Sequence, residues 1–206
     1  SQITEQYIQA RNLAKSKQWQ NAYLQATTKQ LEHLITLSDL STAVLLIEEV
    51  RPIAMALNDE NILLRLSISQ LNINYQLGKF TEIDNLISDL LSAVKNMTPK
   101  RLASEIHTEI GRAYSAMGRD DSAVLYFEKA YTISTAIDDP QQTAIVLNEM
   151  GSVNTALHDH ESAIEYFEKA LSLVKSNDNK FMEAILLHNI GYAYYTDYQD
   201  ELAVEY

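Results

Sequence analysis

Apolar and polar positions along the chain recur with a period of 40 residues. The stretch from Gly111 to Ala130 aligns with the stretch from Gly151 to Ala170, and both contain the run Tyr-Phe-Glu-Lys-Ala. Gly191 begins a third copy in the same register. A fixed period of this length is typical of a solenoid, in which each unit buries its apolar face against its neighbours.

The same columns extend upstream in weaker form, with Leu31 and Leu71 in the glycine column. Twelve residues after that column stand Ala43, Ile83, Ala123, Ala163 and Ala203. Sixteen residues after it stand Ile47, Ile87, Phe127 and Phe167. We therefore predict a single array over residues 1–206, with a half unit at 1–18, units at about 19–58, 59–98, 99–138 and 139–178, and a partial unit at 179–206.

Each unit predicts two helices joined by a short polar turn. Ala144, Leu147 and Met150 have helical spacing in the first half of one unit, and the stretch from Ala163 to Ala170 has it in the second half. The fold class that follows is all-α, with about ten helices in antiparallel pairs and hairpins 40 residues apart.

Several residues predict where helices begin or break. Asp39 is placed to cap a second helix, and Asp139-Pro140 combines a cap with proline in the first turn of a first helix. Pro52 falls inside an expected helix, where it removes a hydrogen bond to Glu48 and costs about 3 kcal/mol. We expect that helix either to bend at Pro52 or to end near Val50.

The motif Ile110-Gly111-x-x-Tyr114, followed by Ala123, Phe127 and Ala130, resembles the tetratricopeptide repeat. The period of 40, against about 34 in the standard repeat, is similar to the longer-repeat branch that includes kinesin light chains, spindle-orientation adaptors and bacterial regulators. The resemblance implies a right-handed superhelical solenoid of antiparallel hairpins, with the first helices lining its concave side. It also implies binding of a protein or an extended peptide in that groove.

The charge is distributed unevenly along the chain. The net charge is −12. Residues 1–100 contain 9 basic and 10 acidic residues, whereas residues 101–206 contain 7 basic and 18 acidic residues. This balance argues against a nucleic acid partner, because phosphate binding needs a basic surface. It leaves open a basic partner, or acidic outer faces that keep the protein in solution.

Composition and motifs indicate no cofactor, metal or catalytic centre. The chain contains no cysteine and no apolar run of the ~20 residues that a membrane helix needs, so we expect no direct membrane insertion. His158-Asp159-His160 lies in a turn and is expected to be polar surface, since a metal site needs three or four converging ligands. No nucleophile motif or phosphate-binding glycine loop is present, and we predict that this region is not an enzyme.

The candidate binding residues lie on the first helices, off the core stripe. Asparagine offers both a donor and an acceptor and suits the backbone of an extended peptide, whereas Arg112 suits a carboxylate unless neighbouring glutamates neutralise it. The alternative is that all of them are ordinary solvated groups. The predicted groove residues are Arg65, Asn72, Arg112, Asn148, His188, Asn189 and Tyr192.

Two functions follow as hypotheses. The first is a non-catalytic protein- or peptide-binding scaffold that is a fragment of a larger protein. The alternative is the sensory or regulatory domain of a bacterial signalling protein, such as a diguanylate cyclase, a histidine kinase or a transcriptional regulator. The compartment is open, cytoplasmic or, for a bacterial sensor, periplasmic, and we also expect self-association through uncapped ends.

Overall fold

The computed structural model describes residues 2–16, 19–95, 97, 100–176, 179–197 and 199–205, and all regular structure within these ranges is α-helical. The half unit contributes α1 (Gln2–Ser16). The first helices are α2 (Gln20–Thr36), α4 (Glu60–Gln76), α6 (Arg101–Ala116), α8 (Pro140–Ala156) and α10 (Lys180–Thr196). The second helices are α3 (Leu40–Ala56), α5 (Phe80–Lys95), α7 (Asp120–Ala136), α9 (His160–Ser176) and the short α11 (Asp200–Ala203). The predicted all-α fold and the 40-residue spacing of hairpins are confirmed.

The turns between helices share one backbone device. Each described turn from α2 to α9, apart from the α5–α6 connection, contains a residue with φ between 51° and 68° just after the helix. This left-handed conformation lets the last helical carbonyls accept hydrogen bonds and stops the helix. Gly78 and Gly118 adopt it without a side-chain penalty. The remaining turn residues with positive φ are Ser38, Asn58, Asp138 and His158.

Aspartates start helices as the sequence predicts. The Asp39 carboxylate accepts a hydrogen bond from the backbone N–H of Thr42 at the start of α3. The Asp139 carboxylate accepts one from Gln142 at the start of α8, and Pro140 occupies the first turn. Both contacts satisfy donors that a helix N-terminus otherwise leaves without a partner.

The expected end of a helix near Val50 is wrong, because α3 continues through Pro52 to Ala56. Pro52 itself is exposed, and the residue two positions on, Ala54, is completely buried in the core of its unit. Burial of the last turn therefore stabilises a helix whose internal hydrogen bond at Pro52 is missing.

The chain divides into two compact units, one up to Leu91 and one from Ser92, and the boundary falls within α5. The first unit packs α1 on α2, α2 on α3 and α4, and α3 on α4 around Leu24, Leu31 and Ile47. The second unit packs each of α6 to α10 on the next helix, and α6 on α8 and α8 on α10. A single array over residues 1–206 stays a prediction.

Glycine and phenylalanine form the helix crossings of the second unit. A Cβ atom placed on Gly111 would lie 2.5 Å from Cε1 of Phe127, and one on Gly151 would lie 2.4 Å from Cε1 of Phe167. Both rings are 1% exposed. The glycine column therefore exists because the aromatic ring sixteen residues later occupies the space a side chain would need.

Candidate peptide-binding surface

Arg112 on α6 joins two first helices of the second unit. Its guanidinium donates to Glu109 on the same helix, and Nη2 donates to Oε1 of Glu149 on α8 at 2.8 Å. The three side chains are 31%, 11% and 18% exposed, so water screens these contacts only in part. The sequence points to Glu105 and Glu109 as the residues that neutralise Arg112; Glu109 does so, and Glu149 on α8 is a further partner to which the sequence does not point. A single positive charge between two carboxylates leaves this group with a net negative charge.

Asn148 and Asn189 extend the contact to α10. Nδ2 of Asn189 donates to Oδ1 of Asn148 at 2.8 Å, and Nδ2 of Asn148 lies 3.5 Å from Oε1 of Glu149. The 41-residue spacing of the two asparagines therefore does place them together on adjacent first helices. We call the surface formed by Arg112, Glu149, Asn148, Asn189 and Tyr192 the first-helix face.

A cavity of about 390 Å³ lies next to this face, between α8, α9 and α10. Asn189 and Tyr192 border it, and the Tyr192 side chain is 54% exposed. Its other walls are Ser152, Thr155, Ala156, His158, Phe167 and Thr196. Amide, hydroxyl and aromatic groups therefore converge on one concave space, which is the ordinary composition of a ligand pocket.

The other side of Tyr192 borders a larger, more apolar cavity of about 720 Å³ formed by α10 and α11. His188 is exposed and also borders it, together with Leu187, Gly191 and Tyr195. Tyr195 is 63% exposed. Of the seven predicted residues, His188 thus lies beside this apolar surface and Tyr192 lies between the two cavities.

The two remaining predicted residues belong to the first unit. Nη1 of Arg65 on α4 lies 3.7 Å from Oε1 of Glu32 on α2. Asn72 accepts a hydrogen bond from Nε2 of Gln76, one turn later on α4, at 2.5 Å. The site described here contains Arg112, Asn148, His188, Asn189 and Tyr192, all in the second unit.

Sequence reasoning missed the hydroxyl groups of Thr155 and Thr196 in the cavity. Thr196 stands in a column that Ala116 and Ala156 occupy in the preceding units, and this departure from alanine was a signal available in the alignment. Thr155 carried no comparable signal, since its column holds Ser115 and Tyr195.

His107 belongs to the core and not to the binding surface. Its ring stacks on Tyr126 with a centroid distance of 5.8 Å, and its Nδ1 is buried without a hydrogen-bond partner. Burial, with a smaller contribution from the positive charge of Lys129, lowers the pKa of His107 to about 4. The imidazole is therefore neutral at physiological pH.

The described ranges contain no group of three or more histidine, aspartate or glutamate side chains placed to hold a metal ion. His158 and His160 contact each other edge to face at 5.8 Å, and Asp159 caps α9 through the N–H of Ser162. Among the described helices, none combines the length and the apolar character that a membrane crossing requires.

Two parts of the chain match family models described as tetratricopeptide repeat, residues 104–136 and residues 142–206. The chain carries tetratricopeptide repeats (TPRs). No curated protein matches it in sequence. The TPR fold is generally a scaffold without a catalytic centre of its own.

Solved structures with the same fold cover most of the chain. BtubC (BKLC) from P. vanneervenii is 18% identical with a TM-score of 0.71, over 97% of this chain and 83% of that one. The TPR-like repeats of a putative kinesin light chain from Podosopora anserina are 17% identical with a TM-score of 0.65, over 88% and 90%. The apo form of the quorum sensor NprR from B. thuringiensis is 14% identical with a TM-score of 0.65, over 88% and 51%. At such low identities these likenesses show the fold alone.

Proposed function

We propose that this TPR protein is a non-catalytic scaffold that binds an extended polypeptide on the first-helix face of its second unit. The observation that carries the proposal is the row of polar contacts from Arg112 through Glu149 and Asn148 to Asn189. This row crosses α6, α8 and α10 and leads to a cavity with an exposed tyrosine at its edge.

The chemistry of the row suits a polypeptide backbone. Each asparagine amide has two N–H donors and an oxygen with two acceptor sites, and the contact between Asn148 and Asn189 uses one donor and one acceptor site. The remaining groups can pair with the alternating N–H and C=O groups of an extended chain. The half-buried asparagines are held in place by their neighbours, which lowers the entropy lost when a ligand binds.

The proposal is tested with a peptide that binds the protein. Random twelve-residue peptides displayed on phage are selected on the protein, and the selected peptide is labelled for fluorescence anisotropy. We expect Asn148→Ala and Asn189→Ala each to weaken binding by about tenfold, because each removes hydrogen bonds worth about 1 kcal/mol or more.

The matched control is Asn154→Ala on α8. The Asn154 side chain donates to the backbone carbonyl of Met150 in its own helix and lies outside the first-helix face. This variant is expected to bind the peptide within twofold of the parent protein. Equal affinity of all three variants and the parent would contradict the proposal, as would a loss in Asn154→Ala as large as in the other two.

A sensory or regulatory domain of a bacterial signalling protein is the second candidate. The likeness in fold to the quorum sensor NprR supports it, since a similar fold occurs there in a sensor. The test is the full-length gene: an output domain fused to this array supports the candidate. A gene without any such domain counts against it and leaves the scaffold proposal intact.

We further propose that the protein associates with a second copy of itself. The support is the apolar cavity of about 720 Å³ at α10 and the 63% exposure of Tyr195 beside it. Sedimentation equilibrium is expected to show a dimer that Tyr195→Glu dissociates. A monomer at all concentrations would contradict this proposal and leave peptide binding intact.

A further inference from the structure

The cavity between α8 and α10 arises from a difference between two otherwise equivalent repeat junctions. At the junction of α6 and α8, Arg112 reaches Glu149, which lies 37 positions later. At the junction of α8 and α10 the same register places Ser152 opposite Asn189. The short serine does not bridge the helices, and Asn189 instead donates to Asn148. An ion pair is thus replaced by a space of about 390 Å³.

The hydroxyl groups of the cavity present acceptors rather than donors. Ser152 donates its hydroxyl hydrogen to the backbone carbonyl of Asn148 at 2.9 Å, and Thr155 donates its own to Gly151 at 3.0 Å. Thr196 lies 2.9 Å from the carbonyl of Ala193 in the same way. Each hydroxyl hydrogen has a partner within its helix, so the oxygens of Ser152 and Thr155 keep lone pairs for a ligand, whereas the Thr196 oxygen also lies 3.3 Å from Nδ1 of His160. A ligand rich in N–H donors matches these walls.

The electrostatics of the cavity favour a cation. Ala156 and Thr196 are the last residues of α8 and α10 and both border the cavity, but α9 begins at His160 beside them, so its positive dipole end offsets much of their negative one. The residues from 101 onward hold 18 acidic and 7 basic groups, which adds a negative field around it. The exposed ring of Tyr192 supplies aromatic surface, on which a planar cation stacks favourably.

We infer that this cavity binds the guanidinium group of an arginine side chain in the bound peptide. The inference rests on the proposed function and specifies which side chain the peptide inserts beside Asn189. Arginine fits better than lysine because its planar group offers five donors in fixed directions to oxygens on two helices, and because it stacks on aromatic rings.

The test is a titration of the isotope-labelled protein followed by nuclear magnetic resonance. The probes are three capped amino acids (N-acetyl, N-methylamide): arginine, its uncharged isostere citrulline, and lysine. Capped arginine is expected to shift the amide signals of Thr155, Tyr192 and Thr196 and to bind about tenfold or more tightly than citrulline or lysine. Thr155→Val and Thr196→Val are each expected to weaken its binding about tenfold, since a hydrogen bond to a charged group is lost.

The matched control is Thr132→Val on α7. The Thr132 hydroxyl makes the same kind of contact, to the carbonyl of Glu128 at 2.9 Å, at an exposed position of α7 that does not border the cavity. Its affinity for capped arginine should equal that of the parent protein. Should a cavity threonine variant unfold, the exposed Tyr192→Leu variant replaces it, with an expected loss of about threefold or more from missing stacking.

Equal binding of citrulline and arginine would overturn the cationic assignment, and equal binding of lysine would overturn the choice of guanidinium. Shifts elsewhere on the protein, or none, would overturn the site. The selected peptide separates this inference from the proposed function. If its affinity falls in Asn189→Ala but not in Thr155→Val, the arginine cavity is refuted while peptide binding on the first-helix face stands. If neither variant weakens it, both are refuted.

Discussion

The same substitution at two equivalent glycines should change stability in opposite directions. In Gly151→Ala the new Cβ would lie 2.4 Å from Cε1 of Phe167, about 1 Å closer than an ordinary contact of 3.4–4 Å. The ring is 1% exposed, so any shift of it toward the neighbouring cavity of about 390 Å³ gives up packing contacts. Overpacking of this kind costs about 1–3 kcal/mol, and the better helix propensity of alanine returns about 1 kcal/mol. We expect a net loss of up to about 2 kcal/mol in the free energy of unfolding.

Gly191→Ala is the matched control on α10. Gly191 occupies the same repeat column but borders the cavity of about 720 Å³. We expect this cavity to leave room for the new methyl group, so that the helix-propensity gain of about 1 kcal/mol remains. Gly191→Ala should therefore raise the free energy of unfolding, so that the two variants differ by about 2 kcal/mol.

The assay is urea unfolding followed by circular dichroism and by tyrosine fluorescence, since coincident transitions are needed for a two-state free energy. Phe167→Leu added to Gly151→Ala should relieve the close contact. The double variant is then expected to lose about 1 kcal/mol less than the sum of the single losses. Equal stabilisation by alanine at both glycines, or strictly additive losses in the double variant, would refute the explanation that the Phe167 ring excludes a side chain at position 151.

Three further predictions concern charged and titratable groups. Because burial lowers the pKa of His107 to about 4 from about 6.5 in the unfolded chain, the unfolded state binds more protons between these values. The free energy of unfolding should therefore fall by up to about 3 kcal/mol as the pH drops from 6.5 to 4. Urea unfolding of the His107→Phe variant at the same pH values should show that this loss has disappeared. The Tyr23 hydroxyl donates to Glu49 at 2.6 Å, and burial, followed by this carboxylate, raises the pKa of Tyr23 to about 12. An ultraviolet titration of the Glu49→Gln variant should find a pKa of Tyr23 that is lower but still above 10. Arg112→Ala should cost about 1–3 kcal/mol in thermal unfolding, because two partly buried carboxylates lose their cation, and an unchanged midpoint would contradict that.

The repeat pattern predicts the fold because core positions and turn positions obey one period. Ala43, Ala123 and Ala163 are completely buried, as their shared column requires. The sequence did not decide whether α3 bends at Pro52 or ends near Val50, because local propensity does not include the packing of Ala54 beyond the proline.

The candidate site was predictable only as a set of positions on helix faces. The spacing of Asn148 and Asn189 predicts that they are neighbours, and they are hydrogen-bonded. The pairing of Arg112 with Glu149 depends on side-chain reach between two helices, which sequence spacing does not specify. The cavity forms because Ser152 is too short to bridge α8 and α10. An alignment of the repeats indicates this only when the ion pair between Arg112 and Glu149 at the preceding junction is already known.

The proposed binding of a polypeptide on the first-helix face is tested most directly by mapping where the selected peptide contacts the protein. Amide chemical shifts of the labelled protein are recorded with and without the peptide. The account predicts that the largest changes lie on α8 and α10, centred on Asn148, Asn189 and Tyr192. Changes concentrated instead on the second helices α7 and α9 would contradict it.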